Sequence, residues 1–227
     1  MAARNYGQYS GLVTALELVG ERWALLIVRD LLVGPRRYTD LKQGLPRIPT
    51  NILSTRLKEL QQAGLVRRLP LAHGLAYALT DYGRGLDSVI LELGRWGLQA
   101  MGDPAEGDIV TADSLTMDFR SAFRADSARS VPATVYEAHI GDVVLTLHVD
   151  AGILTVWPGP ASAPPTAGAD LVLAAGPGLR KVISGELSPE AAMAEGAVRV
   201  LEGNPLLLDR FALTFHLERA PRTDDPL

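Results

Sequence analysis

The 227-residue sequence contains no cysteine. That excludes disulfides, thiol nucleophiles, cysteine-based zinc sites and redox sensing by a thiol. Histidine is scarce: His73, His139, His148 and His216 stand far apart without ligand-like spacing. A metal site would therefore rest mainly on carboxylates, and neither a metal nor a cofactor is expected. No apolar run approaches the ~20 residues that span a bilayer. The N-terminal stretch "MAARNYGQYSG" lacks the apolar core of a secretory signal, so a cytoplasmic protein without membrane association is expected. There is no nucleophile elbow, no phosphate loop and no histidine–carboxylate pairing at a recognisable spacing. "GPGLRK" is glycine-rich but does not match G-x-G-x-x-G. The sequence reads as a non-enzyme.

The chain is long for one ordinary domain and comfortable for two. Its 47% hydrophobic and 21% charged residues are those of a globular protein. The net charge of −4 conceals an asymmetry. Residues 1–102 carry 13 Lys and Arg against 8 Asp and Glu (+5), whereas residues 103–227 carry 9 against 18 (−9). A basic half joined to an acidic half suits a polyanion partner for the first half, although two unrelated domains with ordinary surface bias would look the same. "GDPAEGDIVTADS" marks the change in composition. The expected organisation is a domain over 1–101, a linker over 102–112, a second domain over 113–219 and a tail over 220–227.

The first domain reads as mainly helical. "GLVTALELVG" is a short helix stopped by Gly20, and "ERWALLIVRDLLVGP" a buried one stopped by Gly34 and Pro35. "TDLKQGL" is a third, with Thr39 as its N-cap. "TNILSTRLKELQQAGLVRR" is the most informative stretch. With Thr50 at the N-cap, Leu53, Leu57 and Leu60 fall in one narrow sector at about 100° per residue. Asn51, Thr55, Lys58 and Gln62 fall opposite, with Ser54 beside them. Gly64 suits the left-handed position after the helix, with Leu65 touching Leu60. Short hydrogen-bonding side chains near a helix N-terminus let the backbone approach base edges in a major groove. The same face would equally serve as a solvated surface, and for an isolated helix that is the simpler reading. The neighbours change the balance. "PRIP" joins this helix to the preceding one as a helix-turn-helix requires, and "LVRRLPLAHGLAYALT" reads as strand, turn, strand: a wing carrying Arg67, Arg68 and His73. "GPRRY" places Arg36 and Arg37 just upstream. A last helix is expected from Thr80 to about Met101.

Over roughly residues 8–100 the chain resembles the HxlR-type bacterial transcriptional regulators. The motifs that carry the resemblance occur in order: the Trp23 helix, "GPRRY", "LSTRLKEL", "AGLV" and "LTDYGR". The resemblance implies a homodimer binding a palindromic operator in double-stranded DNA. Base edges would be met by Asn51, Ser54 and Thr55, with Thr50 at the cap. Phosphates or the minor groove would be met by Arg36, Arg37, Arg56, Lys58, Arg67, Arg68 and His73. Arg56 lies nearer the apolar side and would alternatively form an internal ion pair. The dimer contact would use N-terminal segments and the helix after the wing, through Leu86, Val89, Ile90, Leu93 and Trp96; that stripe would otherwise pack on its own domain. Many family members have a Cys-Pro pair where this sequence has Ser10-Gly11, so thiol-based sensing does not carry over.

In the second half, "SLTMDFRSAF" sets Leu115, Phe119, Ala122 and Phe123 on one helical face. Strands follow, with turns at Gly141-Asp142 and Ala151-Gly152, and Val143, Leu145, Leu147 and Val149 share a strand face. "PASAPPTAG" is a Pro-rich loop. A strand, two short helices, a further strand "AVRVLEG" and a last helix from "NPLLLDRFA" complete an α+β reading. From about 113 to 219 the chain resembles a sterol-carrier-protein-type fold, a small sheet covered by helices around an apolar tunnel. That resemblance implies a hydrophobic small-molecule effector, with Phe119, Phe123, Leu206, Leu207 and Phe211 as candidate pocket residues. The same side chains would alternatively just fill a core. The expected architecture is thus a mainly α winged helix-turn-helix followed by an α+β sterol-carrier-like domain. The expected function is a dimeric transcriptional regulator. Its rivals are a lipid carrier whose first half serves protein contacts, and an acyl- or acetyl-transferring enzyme.

Overall fold

The computed structural model describes residues 6–161, 168–176 and 178–217. Most of the Pro-rich loop and the whole tail lie outside the described residues. The chain divides into two compact units, Met1–Ile90 and Leu91–Leu227.

The first unit opens with α1 (Gly11–Val19) and α2 (Ala24–Val33). α2 buries Ala24, Ile27, Val28 and Leu31, as expected for a helix apolar on nearly every side. A two-residue strand β1 (Arg36–Arg37) leads into α3 (Tyr38–Gly44). α3 begins earlier than the Thr39 cap would allow: Arg37 is the N-cap residue, and its backbone N–H donates to Asp40 Oδ2 at 2.8 Å. α4 (Thr50–Gln62) buries Leu53, Leu57 and Leu60. Thr50 is its first helical residue, and the capping position falls to Pro49, whose extended backbone and missing donor suit a helix entrance.

The exit of α4 explains two of the sequence motifs together. Gly64 has φ +73°, Leu65 N–H donates to Leu60 O (2.9 Å) and Gly64 N–H to Gln61 O (3.1 Å), the two bonds of a Schellman stop. Thr80 then ties the far end of the wing to this stop: its N–H donates to Leu65 O and its hydroxyl to Gly64 O (2.6 Å). The Thr80 hydroxyl also accepts from Gly83 N–H, starting α5 (Asp81–Arg84). A Cβ at Gly83 would lie 2.1 Å from Leu65 O, so "AGLV" and "LTDYGR" are halves of one joint that admits only glycine there. β2 (Val66–Leu71) and β3 (Gly74–Leu79) form a hairpin with a two-residue turn, and β1 pairs with β3 to give the order β1-β3-β2.

The helix expected over 80–101 is in fact two. α5 stops at Gly85, and α6 runs Asp87–Gln99. The boundary between the units falls inside α6, not at residues 102–112. The reason lies in the second half of α6: Leu98 joins the core of the second unit, Arg95 Nε donates to Ser121 O (2.9 Å), and a Cβ at Gly94 would meet Ser121 Oγ at 2.7 Å.

The second unit is α+β with a five-stranded mixed sheet. α7 (Ala112–Ala122) is capped by Thr111, whose hydroxyl accepts from Ser114 N–H, and α8 (Ala125–Arg129) follows. β4 (Thr134–Ile140), β5 (Val143–Asp150) and β6 (Ile153–Pro158) form a meander whose tight turns fall at Gly141-Asp142 and Ala151-Gly152, as their turn residues require. β7 (Leu171–Ala175) runs parallel to β4, and β8 (Val198–Gly203) pairs with β7, giving the order β6-β5-β4-β7-β8. α9 (Leu179–Ile183), α10 (Pro189–Ala194) and α11 (Leu207–Thr214) complete the unit. Leu145, Leu147 and Val149 of β5 are fully buried on one face, in one core cluster with Phe119 of α7 and Phe211 of α11.

Candidate nucleic-acid interface

Strand parity sorts the basic residues of the wing. Arg36 and Arg68 both stand opposite Tyr77, whereas Arg37 stands opposite Ala76 and Arg67 opposite Ala78. Residues directly opposite share a face, and neighbours along a strand alternate. Arg68 therefore lies on the Tyr77 side, and Arg67 on the other. The Tyr77 side borders α4: Tyr38, Ser54, Lys58, Gln61, Gln62, Arg68 and Tyr77 line a polar groove of about 570 Å³. The groove has two cationic side chains, three hydroxyls and two amides, a chemistry that suits an anion flanked by hydrogen-bond acceptors.

Within α4, the expected base-reading residues stay on one side. Asn51, Ser54 and Lys58 are exposed and Thr55 half-buried. Ser54 and Thr55 spend part of their hydroxyl capacity on the helix itself, donating to Thr50 O (3.1 Å) and Asn51 O (2.8 Å). Tyr38 braces the helix entrance from α3. Its hydroxyl donates to Thr50 O (2.8 Å) and accepts from Ser54 Oγ (3.3 Å). Tyr38, Tyr77 and Gln61 were not among the expected site residues. Gln61 was within reach of helical spacing from Lys58, but the two tyrosines enter only through the pairing of β1, β3 and α3.

One expected DNA contact is corrected. Arg56 has a side chain only 12% exposed, paired with Glu21 (3.3 Å) and with Glu59, so the internal ion pair is the arrangement found. Arg36, half-buried on the Tyr77 side, donates from Nη1 to Pro35 O at 3.0 Å. Arg37 is exposed but, like Arg67, belongs to the face away from the groove. His73 is exposed in the turn at the wing tip.

On α6, Val89 (54% exposed), Leu93 (47%) and Trp96 (70%) form an apolar stripe at i, i+4, i+7, and Leu86 is half-buried. Ile90 is corrected: at 7% exposure it faces inward, one position round the helix from the stripe, and is unavailable to a partner. Leu12 and Leu16 of α1 are also exposed.

The second unit holds an apolar cavity of about 530 Å³, walled among others by Leu98, Leu115, Phe119, Ala122, Ile140 and Leu179. Of the five expected pocket residues only Phe119 lines it. Phe211 is fully buried in an aromatic cluster, 5.3 Å from Tyr136 and 4.7 Å from Phe215 between ring centroids. Phe123 stacks near Phe215 (5.8 Å), Leu207 packs against the core, and Leu206 is 71% exposed. For these four, core filling or exposure replaces the pocket. Tyr136 belongs to the same core. Among the described residues its hydroxyl has no partner at hydrogen-bonding geometry, and burial pushes its pKa up to about 12, an effect the nearby Thr134 hydroxyl and Arg210 guanidinium only moderate. One pairing missed in the sequence is Glu137 with His139 (2.6 Å), two positions apart on β4. The second carboxylate oxygen of Glu137 accepts from Ala161 N–H (2.8 Å), which makes the pair a fastening for the chain after β6.

A polar helix preceded by a short helix and followed by a two-stranded wing defines the first unit as a winged helix-turn-helix. Residues 18–104 match the model of the HxlR-like helix-turn-helix family. Over 86 residues the chain is 45% identical to a protein of Mycobacterium tuberculosis named as the uncharacterized HTH-type transcriptional regulator Rv3095, covering 37% of this chain and 54% of that one. The chain thus spans about half the length of its mycobacterial relatives. It is 39% identical over 93 residues to the HTH-type regulator YdzF of Bacillus subtilis (39% of this chain, 84% of that protein), and 36% identical over 89 residues to YodB of the same organism (38% and 80%). Among solved structures, quinone-bound YodB is 35% identical over 39% of this chain and 96% of that one, with a TM-score of 0.35. The chain belongs to the HxlR-like helix-turn-helix family, whose relatives named above are transcriptional regulators.

Proposed function

We propose that the protein is a transcriptional regulator that binds a palindromic operator in double-stranded DNA as a homodimer and responds to a hydrophobic effector held in its second unit. The observation that carries the DNA reading is the groove between α4 and the wing, where Lys58 and Arg68 flank the small polar face of the recognition helix. Asn51, with Ser54 and Thr55, reads base edges in the major groove. Lys58 and Arg68 grip phosphates along the groove, while Arg37, Arg67 and His73 reach the backbone or minor groove from the wing's other side and its tip. Dimerisation is favoured by the exposed Val89, Leu93 and Trp96 of α6 and by Leu12 and Leu16 of α1, because apolar rows at helical spacing are costly to leave in water. A two-fold dimer would present two recognition helices to two half-sites. The effector reading rests on the apolar cavity, whose size lies within the ~300–1,000 Å³ of small-molecule sites. A five-stranded sheet sharing one apolar core with helices supports the sterol-carrier reading. With no cysteine in the chain, any sensing here uses means other than a thiol.

The deciding experiment is selection of bound DNA from a random pool by the full-length protein. A recovered palindrome supports the reading, and its half-site spacing reports the dimer. Recovery of no common sequence, together with binding that ignores salt, would leave the first half as a protein-contact module and favour the lipid-carrier alternative.

A further inference from the structure

The hydrogen bonds already made along α4 fix what its two small hydroxyls have left to offer. A backbone carbonyl can only accept, so a hydroxyl bonded to one must supply the proton. Thr55 Oγ1 lies 2.8 Å from Asn51 O, and its single proton is spent there. Ser54 belongs to a triangle of three oxygens. Tyr38 donates its proton to Thr50 O (2.8 Å), and Ser54 Oγ stands 3.1 Å from the same carbonyl and 3.3 Å from the Tyr38 hydroxyl. The triangle holds two protons, and both are used within it. What Ser54 and Thr55 turn outward is therefore lone pairs. Swinging either proton out to a base gives up a bond already made, whereas accepting a proton from a base gives up nothing. The strong donors of the neighbouring groove are Lys58 and Arg68, whose charge draws them to phosphates.

The four bases differ in what they can give such an acceptor. In the major groove guanine shows O6 and N7, and thymine shows O4 and a methyl group. Adenine and cytosine alone carry a donor there, the N6 and N4 amino groups. We infer that Ser54 and Thr55 act as acceptors that read the amino groups of adenine or cytosine. Each half-site then carries A or C on the strand that each hydroxyl faces, and G or T is rejected there because acceptor would face acceptor. This rests on the reading of α4 as the helix that meets base edges, and adds the hydrogen-bond sense of two of its contacts.

The test takes the full-length protein and a duplex recovered by selection from a random pool, with bases of one half-site altered singly. Purine in place of adenine and 2-pyrimidinone in place of cytosine each delete one amino group; 7-deazapurines each delete one N7 acceptor. Binding is followed by fluorescence anisotropy for the unaltered protein, Ser54→Ala and Thr55→Val. For the unaltered protein, one amino deletion per hydroxyl weakens binding about fivefold, the worth of one neutral hydrogen bond. Ser54→Ala binds the intact duplex about fivefold less tightly per half-site, is indifferent to the deletion at its own position and stays sensitive to the one facing Thr55. Thr55→Val shows the converse. Either variant decides alone should the other not fold. If a variant's loss couples to a 7-deazapurine instead, or to no altered base, that hydroxyl is not an amino reader and the inference is overturned, while DNA recognition stands. If selection recovers no common sequence, the DNA reading itself is overturned and this inference with it.

Discussion

Replacing Arg56 and Arg68 separately by alanine should produce opposite phenotypes, although both residues sit among the basic clusters of the same domain. Arg68 faces the groove it shares with Lys58, opposite Tyr77 on the wing. As a phosphate contact it contributes about 0.9 to the slope of log K against log salt for each copy engaged, so a two-fold dimer loses about 1.8 in Arg68→Ala. The loss is the same for every sequence, because phosphates carry no base information. Arg56 behaves differently. Its guanidinium holds Glu21 and Glu59 between α4 and the segment after α1, and only 12% of the side chain meets solvent. Its loss removes the guanidinium from two partly exposed carboxylates; with their solvent screening, the cost is about 1–2 kcal/mol of stability, with no change in salt slope. Fluorescence anisotropy of a labelled operator between about 50 and 200 mM salt, with urea unfolding of each variant, separates the two. An Arg68→Ala slope equal to that of the unaltered protein would place that arginine off the DNA; a reduced slope in a folded Arg56→Ala variant would refute the buried-pair assignment.

Asn51→Ala should relax sequence preference by about 1–3 kcal/mol, the value of one bidentate base contact; undiminished discrimination between operator and mismatched DNA removes Asn51 from the reading face. Gly83→Ala should destabilise the first unit by about 2–4 kcal/mol, because the new methyl meets the Leu65 carbonyl at 2.1 Å; an unfolding midpoint in urea unchanged from that of the unaltered protein contradicts the joint described above. If the protein dimerises as proposed, Leu93→Glu should convert it to monomer in sedimentation, since it puts a charge in the apolar stripe; a persistent dimer would place the interface elsewhere. Tyr136 predicts an alkaline effect. Up to about pH 10 both folded and unfolded tyrosines are protonated, and the residue adds no pH dependence. Between about 10 and 12 the unfolded form ionises while the buried one does not, so stability falls by up to about 3 kcal/mol as pH rises. Tyr136→Phe should lack that component of the loss, and equal alkaline slopes for the two proteins would show that the hydroxyl is not buried as described.

The winged helix-turn-helix was legible because its determinants are local. The apolar sector of α4, the left-handed glycine after it and the two-residue wing turn are each set by residues within a few positions of one another. Local signals are also where the reading slipped by one or two residues: Thr39 and Thr50 look like caps, yet Arg37 and Pro49 hold those positions, because tertiary contacts choose among competing starts. The break between α5 and α6 was missed because Leu86 continues the helical spacing across Gly85, and spacing does not register a backbone that stops and restarts.

By itself, the order of residues determined the elements, the α+β character of the second half and which face of each helix is apolar, since periodicity and turn chemistry act over a few residues. Only the tertiary structure decided partnership. Strand pairing placed Arg68 beside Lys58 and turned Arg67 away; a glutamate 35 positions upstream claimed Arg56; and packing sent Phe119 to a cavity wall but Phe211 into a closed aromatic core. A side chain's chemistry is local, but the groups that compete for it arrive from anywhere in the chain, and no spacing rule records which of them comes within reach.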